Sequence, residues 1–528
     1  MYRIVIKAWV SVALLLQAAG AQETPPTVRV LSLAPDSATF ALAMPAPGRL
    51  ERQAMRLAGR LLGDDAALGS ARDYYLGALT EALALPPEDS FARTWASMGL
   101  DPDAPAGVFV DLSPLRAMAE GAVAIAEGPA PWWHKRKDGE QLGAIARVAV
   151  VAGCDSPEQF RAWAEACAEA SGLGAPRIEN EVHLYDGFAF AIVSGVAIAG
   201  NDGGLVGEVV ARMGQPAPVR YGTAECPALH PDETVLLTRM DHVWNLVPPV
   251  APMLLTHGAE RRETARLLGQ ALDRPAALFT SSDPCVTTLH LGAEEISFSA
   301  RLDLTQHVGY AAYSGICAPP SLVRQLPAQV RAFAFFGTLD PLKGYPLEAA
   351  LAAISFPSDA TAQAAALLRS IHGLALGFML DSSGAPQIVG VLNTTSPGMA
   401  AVLIEEGVVK GTGGALQAKQ LNDIVAISTH AELLDSIPLV MNDTPVTTNL
   451  ECLQLPVAQS TPAAGLIVVS AAAIKSGLPL VEKVLSPAFF DALTGLAAIM
   501  KEFNAGKVLE GSWQSTFARL SLNPPATP

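Results

Sequence analysis

The chain has 528 residues, half of them hydrophobic and 16% charged, with a mean hydropathy of +0.30. Such a composition excludes an intrinsically disordered protein, and a length three to four times that of a ~150-residue domain argues for two domains. Lys and Arg number 35 against 51 Asp and Glu, a net charge of −16, the wrong sign for neutralising nucleic-acid phosphates.

In chain order, Arg3 and Lys7 precede the apolar run Ala8 to Leu16, and Ala19-Gly20-Ala21 stands before Gln22. A basic start, a core too short to span a bilayer and a small-x-small site predict a signal peptide over 1–21, with the mature chain beginning at Gln22. The protein is then periplasmic or secreted, with no transmembrane anchor after cleavage. Pro35-Asp36 precedes an apolar strand, Ala38 to Met44, and a Leu-rich helix. The strand Val148 to Gly153 leads to Ser156-Pro157, where Ser at the N-cap and Pro at the first helical position start a helix. Short apolar runs pair as hairpins: Phe188 to Val193 with Val196 to Ala199, and Cys285 to Leu291 with Ile296 to Leu304. Ala463 to Ile474 reads as a strand and the start of a helix.

The halves match in order. Val148 to Pro157 aligns with Ile388 to Pro397, Val196 to Ala199 with Val425 to Ser428, Val235 to Leu255 with Leu466 to Ser486, and Ala300 to Leu304 with Ala518 to Leu522. Offsets of 396 − 156 = 240, 466 − 235 = 231 and 518 − 300 = 218 drift slowly, as loop insertions and deletions in a duplicated domain make them. The openings at Pro35 and Pro327 differ by 327 − 35 = 292, which puts an insertion in the first half, near 100–145 and including Ala106 to Glu127. The expected fold is α+β, two tandem pseudo-repeated domains at 22–305 and 306–528, each an antiparallel or mixed sheet with packed helices. The modules at Pro35 and Ser156 resemble a bacterial exported family classed as a domain of unknown function, a resemblance that implies an envelope location and supplies no activity.

Six cysteines in an exported chain allow 15 disulfide connectivities. Cys154 and Cys167 are too far apart along a strand and helix to bridge, so Cys167 reads as a core thiol. No nucleophile elbow, zinc motif, C-x-x-C or phosphate loop occurs, and the nine histidines are scattered, so no metal or nucleotide cofactor is expected. One segment stands out: Trp132, Trp133, Lys135, Arg136 and Lys137 lie together in an otherwise acidic protein, between the strands Val123 to Ile125 and Ala144 to Val151. Aromatic area beside cations suits an envelope protein partner, a glycan or an anionic surface. Read differently, the tryptophans form a lid over a sheet edge. The whole points to an exported, soluble, non-enzymatic envelope protein that binds a ligand or partner. A hydrolase with residues converging in an inter-domain cleft and a purely structural envelope protein are the alternatives.

Overall fold

The computed structural model describes residues 26–62, 73, 90–117, 146–213, 233–243, 245–246, 284–304, 314–337, 370–381, 383–406, 416–435, 437, 457, 460–482, 487–511 and 513–524. The chain is α+β, with a large antiparallel sheet and helices. It divides into two compact units: 1–49, 90–111 and 146–235 form the first, and 50–89, 112–145 and 236–528 the second.

The first unit begins with α1 (Pro26–Leu31) and β1 (Phe40–Met44). Helix α2 (Pro47–Leu62) crosses the boundary between units, and α3 (Phe91–Ser97) follows. Then come β2 (Ala106–Asp111), β3 (Arg147–Gly153) and α4 (Pro157–Ala170). Four strands follow, β4 (Arg177–Glu179), β5 (Val182–Tyr185), β6 (Phe188–Val193) and β7 (Val196–Gly200), and then α5 (Gly203–Arg212). The strands pair in the order β1, β2, β3, β7, β6, β5, β4, every pair antiparallel. The buried face carries small residues, Ala41, Ala43, Ala149, Ala189 and Ala191, which leave room for Leu205, Val206 and Val209 of α5. Gly203 shows how close that approach is, since a Cβ there would sit 2.3 Å from Leu184 Cδ2.

A charged staple closes this unit. The Asp111 side chain is 1% exposed and accepts from Arg147 Nε at 2.7 Å and from Arg147 Nη2. Arg147 Nη1 lies 3.5 Å from Asp202, whose carboxylate also caps α5 by accepting from Leu205 N at 2.8 Å. Burial works against the Arg147 charge, but the hydrogen bond and charge of Asp111, with Asp202 and Glu208 beyond, outweigh it and raise its pKa.

Strand β8 (Thr234–Arg239) straddles the boundary, and β9 (Pro284–Leu291) and β10 (Glu295–Asp303) belong to the second unit. A 3-10 turn (Pro320–Gln325) leads into β11 (Ala332–Phe336), β12 (Ile371–Leu380), β13 (Pro386–Thr394) and α6 (Pro397–Ile404). Next are β14 (Gln417–Leu421), β15 (Ile424–Ser428), α7 (Ala431–Asp435) and β16 (Ala463–Ser470). Two helices, α8 (Ala471–Val481) and α9 (Pro487–Ile499), precede β17 (Met500–Glu510) and β18 (Trp513–Leu522). The order here is β14, β15, β13, β12, β11, β16, β17, β18, β10, β9, again antiparallel throughout. Leu322, Val323, Leu326 and Val330 bury one face over Phe333, Phe335, Met379, Val389 and Leu466. Ala400 and Ile404 of α6 pack with Leu392 and Val425.

On strands β9, β10, β18 and β17 both faces mix apolar and polar residues. The cross-strand row Leu289, Phe298, Ala518, Ala505 is apolar, yet Leu289 and Phe298 are exposed. The opposite face buries Val286 and Val508 together with Thr288, Asn504 and Ser515.

Two expectations are corrected. Ala106 to Asp111, assigned to an insertion, is β2, paired with β1 on one side and β3 on the other. The compact units do not divide near residue 305: residues 236–304 join the second unit, because β10 pairs with β18 along its full length.

Candidate functional site

A depression among the described residues lies on the outer strands of the first unit. Ser156 accepts from Gln159 N and starts α4, as the Ser-Pro dipeptide predicts. Strands β5 and β6 join at Asp186-Gly187, where Gly187 takes a φ of 78°, a left-handed conformation that glycine adopts without steric cost. Their register sets His183 opposite Phe190 and Tyr185 opposite Phe188, all on the face that α4 covers.

An aromatic cluster results. His183 stacks on Phe190 with centroids 4.4 Å apart and planes at 16°, and Phe160 of α4 meets Phe190 edge-on at 6.1 Å. Tyr185 and Phe188 lie within 6.3 Å of the same ring, and Trp163 lies 5.4 Å from Phe160. Arg161, Glu181, His183, Phe190 and Ile192 line a groove of about 260 Å³, room for one ring or one apolar side chain.

The electrostatics hold His183 neutral. Burial lowers its pKa and the Arg161 charge lowers it further, while Glu165 pulls the other way. Its Nδ1 is buried and makes no hydrogen bond. Burial and Glu165 together raise the Tyr185 phenol. The turn that closes the groove is strained: Asn180 and Glu181 have φ of 49° and 68°, and a glutamate gains nothing from that conformation. A neutral ring with a free nitrogen, stacked on the fully buried Phe190 and flanked by one cation and one anion, presents a largely polar lining that can seat a planar or polar group. The groove lining holds no Ser, Thr, Cys or Lys.

Trp132, Trp133, Lys135, Arg136 and Lys137 lie outside the described residues, as does the signal segment 1–21. Cys154 and Cys285 are free thiols, and burial raises the pKa of Cys154, Cys167 and Cys285. Among the described residues no group of three His, Cys, Asp or Glu side chains could hold a metal ion. No described helix is long and apolar enough to cross a membrane. Sequence reasoning missed the groove, although the alternation His183, Tyr185, Phe188, Phe190 about an Asp-Gly turn signals an aromatic hairpin face.

No family model matches the chain, and no curated protein matches it. A solved structure titled "Structure of crystal form I of TP0453" aligns over 79% of this chain and 97% of its own, at 9% identity and a TM-score of 0.19. A likeness that weak carries no argument about fold or function.

Proposed function

We propose that this is an exported envelope protein, non-enzymatic, built from two copies of one α+β fold, and that the first copy binds a ligand or partner through the His183 groove. The groove carries the functional part of this reading: a neutral imidazole stacked on Phe190, with one cation and one anion at the rim.

The strand registers support the duplication. The order β1, β2, β3, β7, β6 recurs as β11, β12, β13, β15, β14, and the Ser-Pro helices α4 and α6 follow β3 and β13. In the β9–β10 hairpin Phe298 faces Leu289, and in β17–β18 Thr516 faces Lys507. The shift is 516 − 298 = 218 on one strand and 507 − 289 = 218 on the other, the offset already present in the closing sequence match. The groove is a departure from the common pattern. β14, in the place of β6, reads Gln-Ala-Lys-Gln-Leu, and α6, in the place of α4, has no aromatic residue.

The test uses indole as a neutral ring probe, titrated into the full chain. Saturable binding is expected, weakened roughly tenfold or more by Ile192→Asp and by His183→Asp. Affinity unchanged in both variants, each folded by circular dichroism, overturns the groove as the binding site. Cell fractionation tests export, and uncleaved Met1 in the exported protein would overturn the leader. The aromatic-basic segment Trp132 to Lys137 remains a proposed second contact, read out by Trp132→Ala in pull-down of envelope partners, glycans and anionic vesicles.

A further inference from the structure

The face of the central strands that carries Thr288 and Ser515 also carries a cation, Arg301. Arg301 of β10 is half-buried, and among the described residues no hydrogen bond or ion pair engages it. Its guanidinium nitrogens keep contact with solvent, so the fork of donors is accessible to an anion from outside and is not already committed to a carboxylate. Directly opposite on β18, facing the same side of the sheet, is Ser515, 5% exposed, whose Oγ is buried without a hydrogen-bond partner. Side chains directly opposite on an antiparallel pair have Cβ atoms ~5 Å apart. One residue pair further along the same face, Thr288 and Ser299 share a 2.8 Å hydroxyl contact, with Thr288 buried.

Register shows why this arginine is bare when its neighbour is not. Arg519 of β18 is neutralised by Glu295, which sits on the diagonal beside it, opposite Ser521. The corresponding diagonal beside Arg301 is held by Trp513, opposite Asp303. An indole thus occupies the position of the carboxylate, and Asp303, two residues along the strand, makes no bond to Arg301. A carboxylate on that diagonal would close the site to anions. A ring leaves it open and gives it an apolar wall.

The geometry points to a binding site for a small free oxyanion, a phosphate or a carboxylate, formed by Arg301, Ser515 and the Thr288–Ser299 hydroxyl pair, with Trp513 at its side. The guanidinium supplies a planar fork of donors matched to such a group. Ser515 Oγ donates to an oxygen of the anion, the acceptor it lacks within the protein, and the neighbouring hydroxyls can reorient to donate a further bond.

Calorimetric titration of the full chain with inorganic phosphate and, separately, with acetate tests this. Saturable uptake of at least one is expected, weakened roughly tenfold or more by Arg301→Gln, since bonds to a charged group are among the strong ones. Arg519→Gln, at the arginine already paired, should leave it unchanged, and so should Arg161→Glu at the His183 groove, which keeps this test separate from the groove reading. Arg301→Lys keeps the charge and loses the fork, and Ser515→Ala removes the hydroxyl alone; both should weaken binding several-fold even if Arg301→Gln does not fold. No saturable uptake of either anion by the unaltered chain, or equal affinity in the Arg301 and Ser515 variants, overturns the proposal.

Discussion

Replacing Arg147 by Met keeps the length of the side chain and removes its charge. The Asp111 carboxylate, 1% exposed, then loses the bonds from Arg147 Nε and Nη2, while Asp202 and Glu208, at 3.5 and 3.9 Å from the guanidinium, lose a weaker attraction. Breaking a buried pair by removing one partner costs about 3–5 kcal/mol. The lower end, about 3 kcal/mol, applies because Arg147 itself is 26% exposed and its own desolvation is incomplete. A chain of two compact units need not unfold in one step, so the assay is native-state hydrogen exchange of peptides spanning 106–111 and 147–153. Arg147→Met should lower their opening free energy by about 3 kcal/mol, and the pair Arg147→Met with Asp111→Leu should recover most of it, because two apolar groups need no counter-charge. A loss below about 1 kcal/mol in the single variant would refute the staple as a stabilising element.

Stability should fall with acid through His183. Its folded pKa lies below the ordinary 6.5, so the unfolded chain binds the proton first; the contribution is complete above pH 6.5 and is lost as the pH drops through the folded value. The melting temperature of His183→Phe, which keeps a ring against Phe190, should therefore fall less between pH 7 and 5 than that of the unaltered protein, and equal slopes would refute it. At the helix starts, Ser470 accepts from Ala473 N at 3.2 Å and donates to Arg331 O at 2.8 Å, whereas Ser396 makes no capping bond. Chemical denaturation should show Ser470→Ala costing about 1–2 kcal/mol and Ser396→Ala a few tenths, and the reverse order would contradict the capping account.

Much of the local fold was legible because the relevant signals are short-range. Ser156-Pro157 and Ser396-Pro397 both begin helices, and the hairpins at Ser194-Gly195 and at 292–294 form as their turn residues dictate. β2 was not legible as part of the proposed repeat. Its sequence, Ala-Gly-Val-Phe-Val-Asp, has no close counterpart in Ile371–Leu380, and only pairing on both sides gives it a place. Solving for β2 and β12 makes the point. The register sums move from 40 + 110 = 150 to 332 + 378 = 710, and from 106 + 152 = 258 to 374 + 392 = 766. With the sequence offsets of 292 for the first strand and 240 for the third, both give the same offset for the second, 268. The 240 and 229 taken from the sequence for β3 and β7 overshoot their pairing by one residue, since Val196 to Gly200 corresponds to Ile424 to Ser428. The register alignment gives up the three identities of Val-Ala-Ile, so sequence match and strand pairing disagree by one residue, and a one-residue slip in a strand exchanges its faces.

The groove escaped for a different reason: its parts are individually ordinary and only their convergence is informative. Phe188 and Phe190 on a strand, or Phe160 on the apolar stripe of a helix, read as core. Register and helix packing turn the same residues into a floor, and burial removes the charge from His183. The strain at Glu181 separates this site from incidental packing. Asn180 tolerates a left-handed conformation and Glu181 does not, so the turn carries on the order of 1 kcal/mol that glycine would relieve. The neighbouring hairpin meets the same geometric demand with Ser194-Gly195, placing glycine at its second position. A chain that uses glycine there but keeps a charged side chain at 181, on the rim of the groove, gives up local stability at that turn, as the proposed binding role of that carboxylate requires.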